Sequence, residues 1–216
     1  QFAAPNSGDD LGFIASNVSW NDQPRLQTPH AIAADPNTNT IYVGVAAGNR
    51  VLAYSGATGE FVREVVASGA GGLSTPHGML LGPSNNIYVS SAGTNSIIEY
   101  SLQTGQVLGS FTSSEMDKPT GMKIAPNGKL VVASMHNHRV LEFDLQTRNL
   151  IRTLVPAGRG GLNLPIDIVF SSTEMYVVGH DAPRVYAFDL SGNHRRTFGD
   201  GIHFIGGVLA PNGAFL

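Results

Sequence analysis

Residues 75 to 111 read TPHGMLLGPSNNIYVSSAGTNSIIEYSLQTGQVLGSF, a run without helical period in which short alternating apolar stretches are separated by Gly, Asn, Ser and Thr. The same phrase recurs along the chain. Aligned on an opening proline, the copies are TPHAIAADP at Pro29, TPHGMLLGP at Pro76, KPTGMKIAP at Pro119 and LPIDIVFSS at Pro165. FIGGVLAP is a fifth, with Phe204 in the proline's place. Successive openings are 47, 43, 46 and 39 residues apart. Each full copy continues with a second alternating segment (TIYVGVAA, NIYVSSA, KLVVASM, MYVVGH) and a third (RVLAYSG, SIIEYSL, RVLEFDL, RVYAFDL). The third carries an aromatic residue at its fifth position: Tyr54, Tyr100, Phe143 and Phe188. After a short turn comes a fourth, FVREVV, QVLGSF, LIRTLV or HRRTF. Period-two patterning with turn residues between segments predicts antiparallel four-stranded sheets.

A unit of this length with four strands predicts one blade of a β-propeller, because such a sheet cannot bury both faces alone and must stack against its neighbours. The fold class is therefore all-β: four complete blades plus partial terminal strands, five- or six-bladed when completed. One propeller domain divides into an N-terminal segment with a closing outer strand (1–27), blades at 28–74, 75–117, 118–163 and 164–202, and a partial blade at 203–216. Blades taper toward the axis, so the innermost strand needs small side chains. Two residues after the opening position they are Ala31, Gly78, Gly121 and Gly206; only Asp167 differs.

The phrases PHGM…PSNNIYV and PTGMKIAPNGKLVVAS…NHRVLEFD resemble NHL repeats, and the IYV and TG-turn elements of the first two copies are similar to the YVTN repeats of cell-surface proteins. The likeness covers roughly residues 28 to 216 and implies a fold more than an activity. NHL blades carry an Asp just after the second strand's V-A pair; here the positions hold Val45, Ser91, Ser134 and Gly179.

Ring closure is incomplete in the pattern. LGFIASNV, residues 11 to 18, suits the fourth strand of a blade whose first three come from the C-terminus, yet the chain stops at AFL after IGGVLA. A six-bladed ring would need on the order of 260 residues at this repeat length. The expectation is a fragment of a longer chain, or open edges completed by a second polypeptide through strand addition.

Composition narrows the functions. Among 216 residues 42% are hydrophobic and 13% charged, which is globular, and a formal charge of -3 with scattered Lys and Arg gives no basic face for nucleic acid. No apolar run approaches the roughly 20 residues of a membrane span. Zero cysteines exclude disulfides, thiol catalysis and thiolate metal sites. The expected location is secreted or at the cell surface, with Asn17-Val18-Ser19 an acceptor for glycosylation in a eukaryotic secretory source.

Candidate chemistry gathers on one rim. Propeller topology places the loops into the first strand and between the second and third on the same side, where ligands bind. Six of the seven histidines map there: His30, His77, His136, His138, His180 and His203, with His194 opposite. Asp167 and Asp181 join them. Imidazoles with one or two carboxylates can bind a divalent metal (Ca, Zn or Mg) or act as general acid and base. The metal candidates are His30, His77, His136, Asp167 and His180; the catalytic candidates are His77 and Asp167. The same histidines also suit a packing role, hydrogen-bonding loop backbone, and a carboxylate at position 167 also suits pairing with an arginine of a neighbouring blade. Arg50, Arg139 and Arg184 open the third strands and are expected to be structural. GAGGL at 69–73 and GRGGL at 158–162 lack a phosphate-loop ending and lead into strands, and no G-x-S-x-G elbow occurs. Trp20, the sole tryptophan, suits packing at an edge or stacking on a sugar.

Two function classes follow. One is a binding or structural scaffold presenting its rim to a protein, peptide or glycan, and self-assembling through unsealed edges. The other is a metal-dependent lyase or lactonase resembling virginiamycin B lyases, peptide-amidating lyases or gluconolactonases, which use top-face metals to polarise a carbonyl or support proton abstraction. No complete motif of those enzymes is present, and the scaffold is the first expectation.

Overall fold

The computed structural model describes residues 26–180 and 184–199. The closing strand at 11–18, Asn17, Trp20, Asp181, His203 and the fifth copy with Gly206 lie outside the described residues.

Sixteen strands form four antiparallel sheets, each in simple chain order. The first holds β1 (Pro29–Asp35), β2 (Thr40–Val45), β3 (Arg50–Ser55) and β4 (Phe61–Val66); the second, β5 (Pro76–Leu81), β6 (Asn86–Ser91), β7 (Ser96–Ser101) and β8 (Val107–Thr112). The third holds β9 (Pro119–Ile124), β10 (Leu130–Ser134), β11 (Arg139–Phe143) and β12 (Leu150–Val155); the fourth, β13 (Pro165–Phe170), β14 (Glu174–Gly179), β15 (Val185–Asp189) and β16 (His194–Phe198). The first strand of each sheet packs beside the first strand of the next: β1 on β5, β5 on β9, β9 on β13. These are the inner strands of a propeller, and the sheets are its blades.

Alternation puts apolar side chains on both faces of every blade, and stacking buries them. One core cluster joins the first and second blades through Tyr42, Val51, Ile87 and Tyr100. A second joins the second and third through Tyr88, Phe111, Met122 and Phe143, and a third joins the third and fourth through Val131, Val155, Ile168 and Phe188. The four aromatic residues of the repeat, Tyr54, Tyr100, Phe143 and Phe188, are buried. Each such ring contributes about 1.5–3 kcal/mol through burial. Smaller clusters, around Leu52 and Tyr54 on the first blade and around Val169 and Tyr176 on the fourth, cover the outward faces of these terminal blades.

The small residues of the inner strands act between blades. A Cβ added at Gly78 would stand 2.2 Å from the Thr120 carbonyl oxygen, and one at Gly121 would stand 2.7 Å from the Asp167 Cα. The backbones of neighbouring inner strands thus touch where the blades converge. Thr120 adds a buried hydrogen bond there, its Oγ1 donating to the Pro165 carbonyl at 3.0 Å.

Polar latches repeat from blade to blade. The residue before each opening proline, Thr28, Thr75, Lys118 or Leu164, has positive φ, between 41° and 53°. Its carbonyl accepts a hydrogen bond from the residue just past the second strand: Ala46, Ala92, Met135 or His180. Its N–H, in three copies, donates to a side chain of the preceding blade: Thr75 to Asn49 Oδ1, Lys118 to Asn95 Oδ1, and Leu164 to His138 Nδ1, at 2.8, 2.8 and 3.0 Å. Ser91 and Ser134, in the positions where NHL blades carry Asp, accept from the backbone N–H groups of Ser74 and Asp117 through their hydroxyls. Each loop into an inner strand is thereby fixed by hydrogen bonds whose loss would leave backbone groups unsatisfied.

Buried carboxylates brace the third strands. Glu99 accepts from Asn86 Nδ2 at 2.6 Å and from Arg148 of the next blade at 2.8 Å; Glu142 accepts from Asn127 and Arg152. The glycine-rich loops form short 3-10 turns at Ala70–Gly72 and Arg159–Gly161 that dock on the next blade, where Tyr100 Oη donates to the Ala70 carbonyl and Gly160 faces the His194 ring.

Candidate functional site

Every inner strand is bulged near its start. Pairing slips between Pro29 and Ala31, Pro76 and Met79, the equivalents of Pro119 and Met122 opposite Val132 and Ser134, and Pro165 and Asp167. A bulge inserts an unpaired residue and re-aims side chains. The residues at or beside the slips include His30, His77, Gly78, Gly121, Ile166 and Asp167, and all line one cavity of about 480 Å³ bounded by the four inner strands.

Comparison of equivalent positions shows how blades with one pattern make an asymmetric site. His30 and His77 stand where the third and fourth copies have Thr120 and Ile166. Asp167 replaces Ala31, Gly78 and Gly121. His180 takes the place of Ala46, Ala92 and Met135, and its N–H is held at 2.9 Å by the Leu164 carbonyl. Lys123 stands where the other copies have Ala33, Leu80 and Val169, and it too lines the cavity. Met79, Met122 and the exposed Ile32 supply apolar wall.

The imidazoles of His30 and His77 lie with ring centroids 5.2 Å apart, tilted by 57°. His77 is part-buried, and desolvation pushes its pKa below the ordinary imidazole value, with smaller electrostatic contributions from His30, Lys118 and His180. Asp167 Oδ1 accepts the backbone N–H of Ile168 at 2.9 Å, which fixes the carboxylate at the cavity wall.

Of the five candidate metal ligands, His30, His77, Asp167 and His180 share this cavity, whereas His136 is absent from its lining. His136 is half-exposed on the β10–β11 turn, its Nδ1 4.0 Å from Asp117 Oδ1. His138 is the blade latch already described, and His194 Nε2 bonds Thr197 Oγ1 on the outer strand β16. Arg50 pairs with Glu64 and Arg139 with Glu115, as structural rim residues would. Among the described residues no three His, Asp or Glu side chains are grouped closely enough to hold a metal ion. Lys123, Met79 and Met122 were not legible as site residues; the signal for Lys123 was a lysine where the other copies are apolar.

No family profile matches the chain, and no curated protein matches it in sequence. Solved structures do match in fold. Hydrazine synthase of Kuenenia stuttgartiensis superposes with a TM-score of 0.68 at 19% identity, over 88% of this chain and 54% of that one. Virginiamycin B lyase of Staphylococcus aureus superposes with a TM-score of 0.69 at 13% identity, over 89% of this chain and 63% of that one. The chain is a β-propeller. It spans a little over half of each of these longer proteins, and at such identities the likeness establishes architecture alone.

Proposed function

We propose that this chain is a binding scaffold of the NHL-like kind, secreted or displayed at a cell surface, that receives a small molecule or a projecting group of a protein, peptide or glycan in its axial cavity. The observation that carries the proposal is the convergence of His30, His77, Lys123, Asp167 and His180 on one concavity with apolar wall from Met79 and Met122. Its volume falls within the roughly 300–1,000 Å³ of ligand pockets, and a few polar groups on a mainly apolar lining is the usual make-up of such sites.

A metal-dependent lyase or lactonase would enlist the same histidines and Asp167. It would need three of them around one ion, and the described residues offer no such group. Self-association is supported by exposed apolar side chains on the outer strands, Phe61, Val62, Val107, Leu108 and Ile151. The unsealed edges through which strand addition would act, at 11–18 and 203–216, lie outside the described residues.

Methionine-methyl NMR tests the binding proposal. The chain has five methionines, of which Met79 lines the cavity, Met122 lines it and also packs in the core between the second and third blades, and Met116 and Met175 sit in blade cores as internal references. A panel of neutral, anionic and cationic small molecules and simple sugars should contain compounds that shift Met79 and Met122 saturably while leaving Met116 and Met175 in place. A panel that moves all four together, or none, contradicts a ligand site at the axis.

A further inference from the structure

The cavity's charged and polar groups define what it would hold. Among the described lining residues Lys123 is the one ammonium, Asp167 the one carboxylate, and His30, His77 and His180 supply imidazoles. Lys118, at the entry to β9, adds a second ammonium near His77. Neither Lys118 nor Lys123 has a hydrogen bond or ion pair to its ammonium among the described residues. Asp167, by contrast, is already engaged, with Ile168 N–H on one oxygen. Donors therefore outnumber acceptors on this wall: the Lys123 ammonium and the imidazoles of His30 and His77 against one carboxylate that is already engaged.

Resting on the binding proposal, we infer that the group the cavity takes is an oxyanion, a carboxylate or phosphate of the ligand, received on the wall formed by His30, His77 and Lys123. Hydrogen bonds from imidazole N–H and ammonium to an ionised oxygen are charge-assisted and roughly twice as strong as neutral ones. A cation would meet the positive charge of Lys123, with Lys118 nearby adding to it. A neutral sugar would leave the Lys123 ammonium without a counter-charge. Burial is the main cause of the lowered His77 pKa, and the electrostatic contributions of His30 and Lys118 that add to it are of the sign that a negative guest relieves. Asp167 then opposes the guest, and its removal should tighten binding, the reverse of what a metal site would give.

The experiment is titration of the full chain with succinate, inorganic phosphate, glycerol and putrescine, read by the Met79 and Met122 methyl signals and by calorimetry at constant ionic strength. Expected are saturable binding of succinate or phosphate, weakened about tenfold by Lys123→Gln, retained in Lys123→Arg, and tightened several-fold by Asp167→Asn. Preference for succinate assigns a carboxylate and preference for phosphate a phosphoryl group. If glycerol or putrescine moves the two methyls and neither anion does, the oxyanion assignment is overturned while the cavity remains a binding site. Anion affinities unchanged in Lys123→Gln and Asp167→Asn overturn it equally, as does the absence of any anion response.

Discussion

The Nδ1 atom of His138, on the third blade, accepts a hydrogen bond at 3.0 Å from the backbone N–H of Leu164, which leads into the fourth. Two earlier blade junctions make the same bond with asparagine: Asn49 to Thr75 and Asn95 to Lys118. Histidine here works as a backbone acceptor.

The interchange between copies gives the first prediction. His138→Asn should fold with stability near that of the parent, because the amide oxygen can take the same N–H, whereas His138→Ala should lose about 1–2 kcal/mol by leaving a half-buried donor unmet. Denaturant midpoints of the two variants check the difference. Equal loss in both would mean that the ring's packing, not its acceptor, matters.

Contact between inner strands gives the second. Gly78→Ala puts a methyl 2.2 Å from the Thr120 carbonyl oxygen, so the first strands of the second and third blades must part. A loss of about 3 kcal/mol or more is expected. Gly128→Ala, at a turn glycine with φ of 77° and nothing within 4 Å, should cost only about 1 kcal/mol through backbone strain. Thermal unfolding of both variants would rank them.

Repetition made the blades legible before any coordinates: four segments per copy, the small residues at 31, 78 and 121, and the buried aromatic of each third strand all follow from period-two alternation. Convergence of His30, His77, Asp167 and His180 also followed, since their positions in the repeat fix their place in the ring. What resisted was side-chain direction within turns. His136 and His138 lie two residues apart, yet one is turned toward solvent beside Asp117 and the other reaches the next blade from a backbone with φ of 58°. Alternation does not report such left-handed residues, and it does not report the bulges that re-aim residues 30 and 77.

A third prediction concerns the buried carboxylate that ties the second blade to the third. The Glu99 side chain is 10% exposed and its partner Arg148 32%, so Arg148→Ala should cost about 2–3 kcal/mol by stranding a charge that water reaches poorly. Adding Glu99→Gln should recover part of that loss. A double variant no more stable than Arg148→Ala alone, as read from urea titrations, would contradict the pairing.

The fourth concerns pH. His77 is held below the ordinary imidazole value of 6.5 in the folded chain, so the unfolded chain binds the proton more readily. Its contribution to stability is present above the unfolded value and lost as pH falls through the folded one. Stability should therefore decline on acidification from neutrality, and His77→Asn should flatten that part of the profile. An imidazole titration of His77 centred above 6.5 would reverse the sign and contradict the burial assigned to it.

The most direct measurement is the proton–proton Overhauser effect between the imidazole rings of His30 and His77, assigned by single His→Gln variants. The two residues open successive blades, 47 positions apart in the sequence, and their ring centroids lie 5.2 Å apart at the cavity. A cross-peak between the rings, shifted by whichever ligand also moves Met79 and Met122, is the predicted result. Two rings without any mutual contact, each responding to ligand independently or not at all, would contradict a common axial site.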